Sequence, residues 1–203
     1  MAINGRTLSM SGKRMGVLAA RSSAAAVAAA VGAATLTACD GNGSGPPAAR
    51  KTVYLEASWA VAYHSVADLK KHSQIAAQGH FSKVLLQQTE QQSGVLSTDF
   101  EFTVDKVLYA QAGRALAPSS TITVHQTGGV VDDTVHQFKD DPLFTVSETC
   151  VLFLEEYEPG SYKVVGGPTG RFEVKGGTVT PVNDEGPAFQ GSADDFAAAV
   201  ARS

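Results

Sequence analysis

The side chains that could do chemistry in this 203-residue chain are few and scattered. The histidines are His64, His72, His80, His125 and His136. A zinc site legible in sequence brings ligands together at short spacing, as in H-x-x-x-H or H-E-x-x-H. No pair here has that spacing, so a metal site would have to be assembled from distant strands. His80 and His125 fall on the outward parity of alternating segments and read as solvated strand histidines. Asp132-Asp133 and Asp140-Asp141 could gather a hard cation through oxygen. They lack the D-x-D-x-D-G register and read as a solvated acidic connection.

Glu155, Glu156 and Glu158 crowd one turn, where mutual repulsion would raise a carboxyl pKa; an exposed hairpin tip accounts for them equally. Gly166-Gly167-Pro168-Thr169-Gly170 has the glycines of a phosphate loop. It has neither the G-K-[ST] ending nor a following helix, so it reads as a turn. The serine-nucleophile pattern G-x-S-x-G is absent. Trp59, Tyr63 and Phe81 supply either a contact patch or core. Cys150 lies beside Val151 and Leu152 and reads as a small buried hydrophobe. A reactive thiolate wants a nearby cation or helix N-terminus, and nothing local offers one. The sequence therefore assigns no catalytic residue, no cofactor and no metal ligand.

The chain carries 16 Lys and Arg against 20 Asp and Glu, a formal net charge of −4. Residues 1–38 hold Arg6, Lys13, Arg14 and Arg21 and no acid, so the remainder has 12 basic against 20 acidic side chains, or −8. A cationic start followed by the Ala/Val-rich run Ala24 to Ala34 is the pattern of a secretory signal. A membrane-spanning helix needs about 20 strongly apolar residues, and this run is too short and too alanine-rich. Lys13-Arg14 departs from the twin-arginine export pattern at its first position, and the export route stays open.

The run ends Leu36-Thr37-Ala38-Cys39. This resembles the lipobox of bacterial lipoproteins at all four positions. The resemblance implies cleavage before Cys39 and a diacylglyceryl group on the Cys39 sulfur. Two or three acyl chains hold a protein at a membrane without a spanning helix, because each buried methylene contributes ~0.8 kcal/mol. The plain alternative is a secreted protein whose Cys39 only lies near the cleavage site. The Gly, Ser and Pro of Asp40 to Ala49 cannot bury a core, so residues 39–51 read as a tether. The expected organisation is a signal peptide over 1–38, a lipidated tether over 39–51 and one domain over 52–203. With Cys39 acylated, Cys150 has no intramolecular partner, and the domain rests on its apolar core alone. At about 150 residues it buries roughly 70% of its extended-chain surface.

Ser65 and Asp68 have the spacing of a helix N-cap and its third residue, and a short helix follows to about Lys71. Ile75, Ala77, Gly79 and Phe81 alternate with polar neighbours in a strand that runs on through Leu86, with a bend or bulge at Gly79. Gln87 to Gly94 reads as a polar connection. Phe100, Phe102 and Val104 alternate, and then the apolar parity shifts to Val107 and Tyr109, which predicts a bulge near Asp105–Lys106. Gln111–Pro118 reads as a loop, Ile122 and Val124 as a strand, and Val130–Pro142 as a loop.

Thr149–Leu154, Tyr162–Val165 and Arg171–Val174, separated by tight turns, read as an antiparallel meander on which the other strands pack. Gly176-Gly177 marks a hairpin turn before Thr178-Val179. Ser192 and Asp195 open a C-terminal helix with the stripe Ala193, Phe196, Ala197 and Val200. The sum is a mainly β fold, a small antiparallel barrel of six or seven strands with one helix before and one after.

The order of these signals from Ser65 to Val179 resembles a domain of secreted bacterial proteins. The residues that carry the likeness include Thr98–Val104, Thr123–Gly129 and Tyr162–Phe172. In strand order it is similar to OB-type barrels and to netrin-like barrels, among them the tissue inhibitors of metalloproteinases. Those inhibitors chelate the target's metal through a disulfide-bonded N-terminal cysteine. Cys39 here is expected to be acylated and the disulfides are missing, so that mechanism is not implied, and no catalytic residue comes with either likeness.

The expected role is a non-catalytic binding module on the extracytoplasmic face of the cell membrane, held by lipid on Cys39, with a protein or small ligand as partner. Its contacts are expected in the loops Gln111–Pro118 and Val130–Pro142. The alternatives are a metal-dependent or hydrolytic enzyme using the scattered His and Asp, and a protease-inhibitor-like module. A charge of −8 outside the cytoplasm argues against nucleic acid as the partner.

Overall fold

The computed structural model describes residues 50–56, 59, 61–89 and 94–203. The signal segment, Cys39 and the tether as far as residue 49 lie outside these residues. The described chain is mainly β, with strands β1 Lys51–Leu55, β2 Ile75–Thr89, β3 Leu96–Ala110, β4 Thr121–Thr127, β5 Gly129–Val131, β6 Thr134–Phe138, β7 Thr149–Glu158, β8 Ser161–Val164, β9 Arg171–Lys175, β10 Thr178–Pro181 and β11 Gly191–Ser192. Helix α1 spans Val66–His72 and α2 spans Ala193–Arg202. No helix among the described residues is long and apolar enough to cross a membrane.

Eleven strands replace the expected six or seven, and they form two sheets. One source of the excess is the acidic connection. It folds as the hairpin β5–β6, closed by Asp132 and Asp133 at φ 48° and 58°. Two left-handed residues in succession make the tight turn that matches strand twist. Aspartate tolerates that conformation without the glycine that would have advertised it. β1 then joins this hairpin, pairing with β6 in parallel.

The larger sheet is built on two 15-residue strands, β2 and β3. Their ladder is interrupted by register shifts. Gln78 pairs with Lys106 and Gly79 with Val104, leaving Asp105 as the extra residue, where the parity shift placed a bulge. Leu108 is a second extra residue, which sends Tyr109 to the opposite side from Val107. Ser82 and Leu85 play the same part on β2. Each bulge bends and twists its strand, so this long hairpin coils. β2 also continues to Thr89, beyond the expected polar boundary at Gln87.

The meander is corrected as well. β7 pairs with β2 along one edge. Its other edge is shared, with β9 against Cys150–Leu152 and β8 against Leu154–Glu158. β9 therefore lies beside β7 rather than beside β8. Gly166 and Gly167, at φ 67° and 56°, turn the chain into a short 3-10 segment that carries it on along the same edge. β8 also pairs in parallel with β4, so the fold is not purely antiparallel. Through β8 the pairing β7–β2–β3–β4–β8 returns to β7.

β7 reads as an unbroken apolar run because both of its faces are covered. Cys150, Leu152 and Leu154 point into a cluster with Phe81, Phe100 and Phe102. Val151 and Phe153 point the other way, into a cluster with Phe172, Phe196 and Val200. Each large side chain buried in this way contributes roughly 1.5–3 kcal/mol relative to exposure. Phe81, named above as a possible surface aromatic, is fully buried and stacks on Phe144 with ring centroids 4.2 Å apart.

Both helix starts form as the sequence suggests. Ser65 Oγ accepts from the Asp68 N–H, and Ser192 and Asp195 make a complete capping box. Lys70 ties α1 to α2, its ammonium donating to the carbonyls of Val200 at 2.8 Å and Ser203 at 2.6 Å. These are carbonyls that a helix C-terminus leaves without intrahelical donors, and a cation there also suits the helix dipole.

Candidate functional site

Strand register assembles the site from residues far apart in sequence. Asp99 on β3 pairs with His125 on β4, His125 pairs with Lys163 on β8, and Lys163 pairs with Glu155 on β7. Directly opposed residues share a face of the sheet. The four side chains therefore form a row that alternates in charge character. His125 Nδ1 lies 2.8 Å from Asp99 Oδ1. With a carboxylate as acceptor, Nδ1 carries the hydrogen and Nε2 is left for another partner. Lys163 Nζ is 3.5 Å from Glu155 Oε1.

Tyr157, two residues beyond Glu155, sits at a register shift of the β7–β8 ladder. Its ring stacks on His125 at 4.7 Å and 17°, and the Lys163 ammonium lies 5.8 Å from its centroid. His125 is thus corrected from solvated to largely covered, its side chain only 13% exposed.

Facing this row are Trp59, Val61 and Tyr63, which lie in sequence between β1 and α1. Trp59 packs edge-on against Phe138, and its indole N–H donates to Asp140 at 3.2 Å. Tyr63 lies against the His72 ring. Both aromatic rings rest directly on the backbone of the Gly166-Gly167 turn, where a β-carbon would overlap them. Between the two walls is a cleft of about 400 Å³, lined also by Val61, Thr127 and Asp141.

Asp141 belongs to a buried ion-pair network centred on Arg171, which is 3% exposed. Arg171 donates to Glu148 at 2.6 Å, to Asp141 at 3.2 Å and to the Pro142 carbonyl at 2.5 Å. Its guanidinium lies 4.4 Å from the Phe144 ring centroid. Burial pushes the Asp141 carboxyl above its ordinary range, with Arg171 pulling the other way. The acidic connection is therefore solvated only in part.

The remaining candidates disperse. His64 donates to the Glu185 carbonyl, His72 to the Asp68 carbonyl, and His80 meets Asp105 at the surface. His136 lies on β6. Among the described residues no three His, Cys, Asp or Glu side chains gather as a metal site would require. The glutamates do not crowd one another. Glu156 pairs with Arg114 at 2.5 Å and Glu155 with Lys163. The Arg114 hydrogen bond and the Gly160 N–H hold the Glu156 carboxyl below its ordinary range, the opposite of the rise that mutual repulsion would cause. Cys150 is wholly buried, which pushes its thiol well up and leaves no reactive thiolate.

Of the two loops expected to carry contacts, only Val130–Pro142 reaches the cleft, through Asp141. Trp59 and Tyr63 were visible as aromatics without a place. Asp99, Tyr157 and Lys163 carried no signal of their own, because only the β3–β4–β8–β7 pairing brings them together. Arg171, on β9, carried none because its partners Glu148 and Asp141 lie far from it in sequence. No protein-family model, curated protein or solved structure matches this chain.

Proposed function

We propose that this chain is a lipoprotein of the extracytoplasmic membrane face, anchored through acylated Cys39, and that its folded part is a non-catalytic binding module on a small OB-like barrel. The lipobox Leu36-Thr37-Ala38-Cys39 and the cationic leader support the anchor. The circular pairing β7–β2–β3–β4–β8–β7, with its one parallel step β4–β8, supports the barrel, since that is how a five-stranded OB barrel closes.

The observation that carries the binding role is the cleft of about 400 Å³ between Trp59–Tyr63 and the His125–Lys163–Glu155 row. Ligand sites combine a concave apolar surface with a few fixed polar groups. Here the rings are held by glycine backbone and the polar groups by one another. Mass spectrometry of the mature protein from cells tests the anchor. The expected product begins at Cys39 with a diacylglyceryl mass, and Cys39→Ser is expected to release the protein from membranes. An unmodified N-terminal thiol sinks the anchored reading.

A second reading rests on the Asp99–His125 pair, whose geometry would suit a general base with Nε2 facing a substrate. It requires turnover. Hydrolysis of ester or glycosidic test substrates by the wild type, abolished in His125→Gln with folding intact, would favour it over simple binding.

A further inference from the structure

We infer that the ligand of this cleft is a neutral carbohydrate, its C–H faces resting on the Trp59 and Tyr157 rings and its hydroxyls meeting Glu155 and Lys163. The inference rests on the binding role proposed above and names the ligand class.

Charge pairing is the first argument. An anionic ligand wants an unmatched cation, yet Lys163 is held by Glu155 at 3.5 Å and His125 by Asp99 at 2.8 Å. A cationic ligand wants an unmatched carboxylate, yet of the two that line the cleft Asp141 serves the buried Arg171 and Glu155 lies beside Lys163. A charged guest that drew Asp99 from His125 or Asp141 from Arg171 would leave a largely covered partner poorly solvated. A neutral guest breaks none.

Hydrogen-bonding capacity is the second. A sugar hydroxyl donates and accepts at once, and neighbouring hydroxyls on a ring present both functions side by side. Glu155 and Lys163 offer an acceptor and a donor side by side at the cleft wall. Both side chains keep solvent access, at 41% and 48% exposure, so their remaining lone pairs and N–H groups can reach a guest.

Preorganisation is the third. The Trp59 ring is fixed by Gly167, Phe138 and Asp140, and Tyr157 is stacked on His125. A sugar ring has apolar C–H faces and a polar rim, so it matches aromatic faces bordered by charged tips. Rings already immobile cost little further entropy when a ligand docks on them.

Trp59 is the only tryptophan in the chain, so its fluorescence reports on the cleft without a label. The experiment uses full-length lipoprotein extracted in a detergent without a sugar headgroup. It is titrated with neutral oligosaccharides covering α- and β-linked glucose, galactose, mannose and N-acetylglucosamine. Saturable change in Trp59 emission at millimolar sugar is expected. Affinity should fall at least about tenfold in Tyr157→Ala and in Glu155→Gln, as for the anchor residues of an interface. Lys106→Met, at an exposed pair with Asp194 away from the cleft, should match the wild type. Circular dichroism of each variant separates loss of binding from loss of fold. A saturable response to tetramethylammonium or inorganic phosphate, with none to any sugar, overturns the carbohydrate assignment and leaves the binding role standing. Silence to every probe overturns both.

Discussion

The Trp59 indole lies on the backbone of Gly167, so closely that a β-carbon there would overlap the ring. Gly167 also sits at φ 56°, where a side chain costs roughly 1 kcal/mol or more whatever surrounds it. Gly176 has nearly the same backbone, φ 57°, with nothing close to its missing β-carbon. The two glycines separate conformational cost from contact. Gly176→Ala should cost about 1 kcal/mol and leave the tryptophan spectrum unchanged. Gly167→Ala should cost more and shift Trp59 emission to the red as the ring is lifted into solvent. Identical spectra for the two variants would show that Gly167 does not hold the ring.

Arg171 is a buried cation facing two carboxylates, Glu148 and Asp141, whose side chains are each only 10% exposed. Removing one member of such a network strands the others without water. Arg171→Ala should destabilise the fold by about 3–5 kcal/mol in urea unfolding. Lys cannot reproduce the fork of donors that reaches Glu148, Asp141 and the Pro142 carbonyl together, so Arg171→Lys should recover only part of the loss. Lys106→Met, which breaks an exposed pair, should change stability by less than about 1 kcal/mol. Equal effects at positions 171 and 106 would contradict the buried-network account.

What the sequence made legible is what a few neighbouring residues decide among themselves. The Ser65 and Ser192 caps, the extra residue at Asp105, the Gly176-Gly177 turn and the apolar strand around Cys150 are local, and each appears in the structure. The rest depends on partners distant in the chain. The Asp132-Asp133 turn carries no glycine to announce it. The choice of β9 to lie beside β7 depends on which edge is free once β8 has paired with β4. Arg171 looks like any strand-edge charge until Glu148 and Asp141 close over it. The cleft is legible least of all, since its polar row joins positions 99, 125, 155 and 163 through strand register alone.

Gly79 marks the place where β2 passes over the Phe102 ring. A β-carbon there would collide with the Thr103 carbonyl oxygen and with two ring atoms of Phe102, at 2.7 and 2.8 Å. The carbonyl belongs to the paired strand, so it cannot move without breaking the ladder. Phe102 is fully buried and packed among Phe81, Phe100 and Val104 in the core cluster. Gly79→Ala should therefore destabilise by about 3 kcal/mol or more, at the upper end for overpacking. Thermal unfolding measures it, and a variant as stable as wild type would mean that β2 is free to shift away from β3.

Acid pH separates two carboxylates whose environments act in opposite directions. Arg114 holds Glu156 ionised below the ordinary glutamate value of about 4.3. As pH falls through the window between that value and the lowered folded one, the unfolded chain takes up a proton that the folded chain refuses, so stability falls. Glu156→Gln removes this contribution and should flatten the decline. Asp141 runs the other way, because burial raises its carboxyl in the folded state. The folded chain binds that proton first, and the associated stability is lost as pH rises through the raised value. Asp141→Asn should therefore make stability fall less as pH rises through that value. Urea midpoints of the three proteins across pH 3 to 7, a range of about 4 units around the carboxylate values, read both effects. If both substitutions change the slope in the same direction, the assignment of opposite shifts to these two groups is wrong.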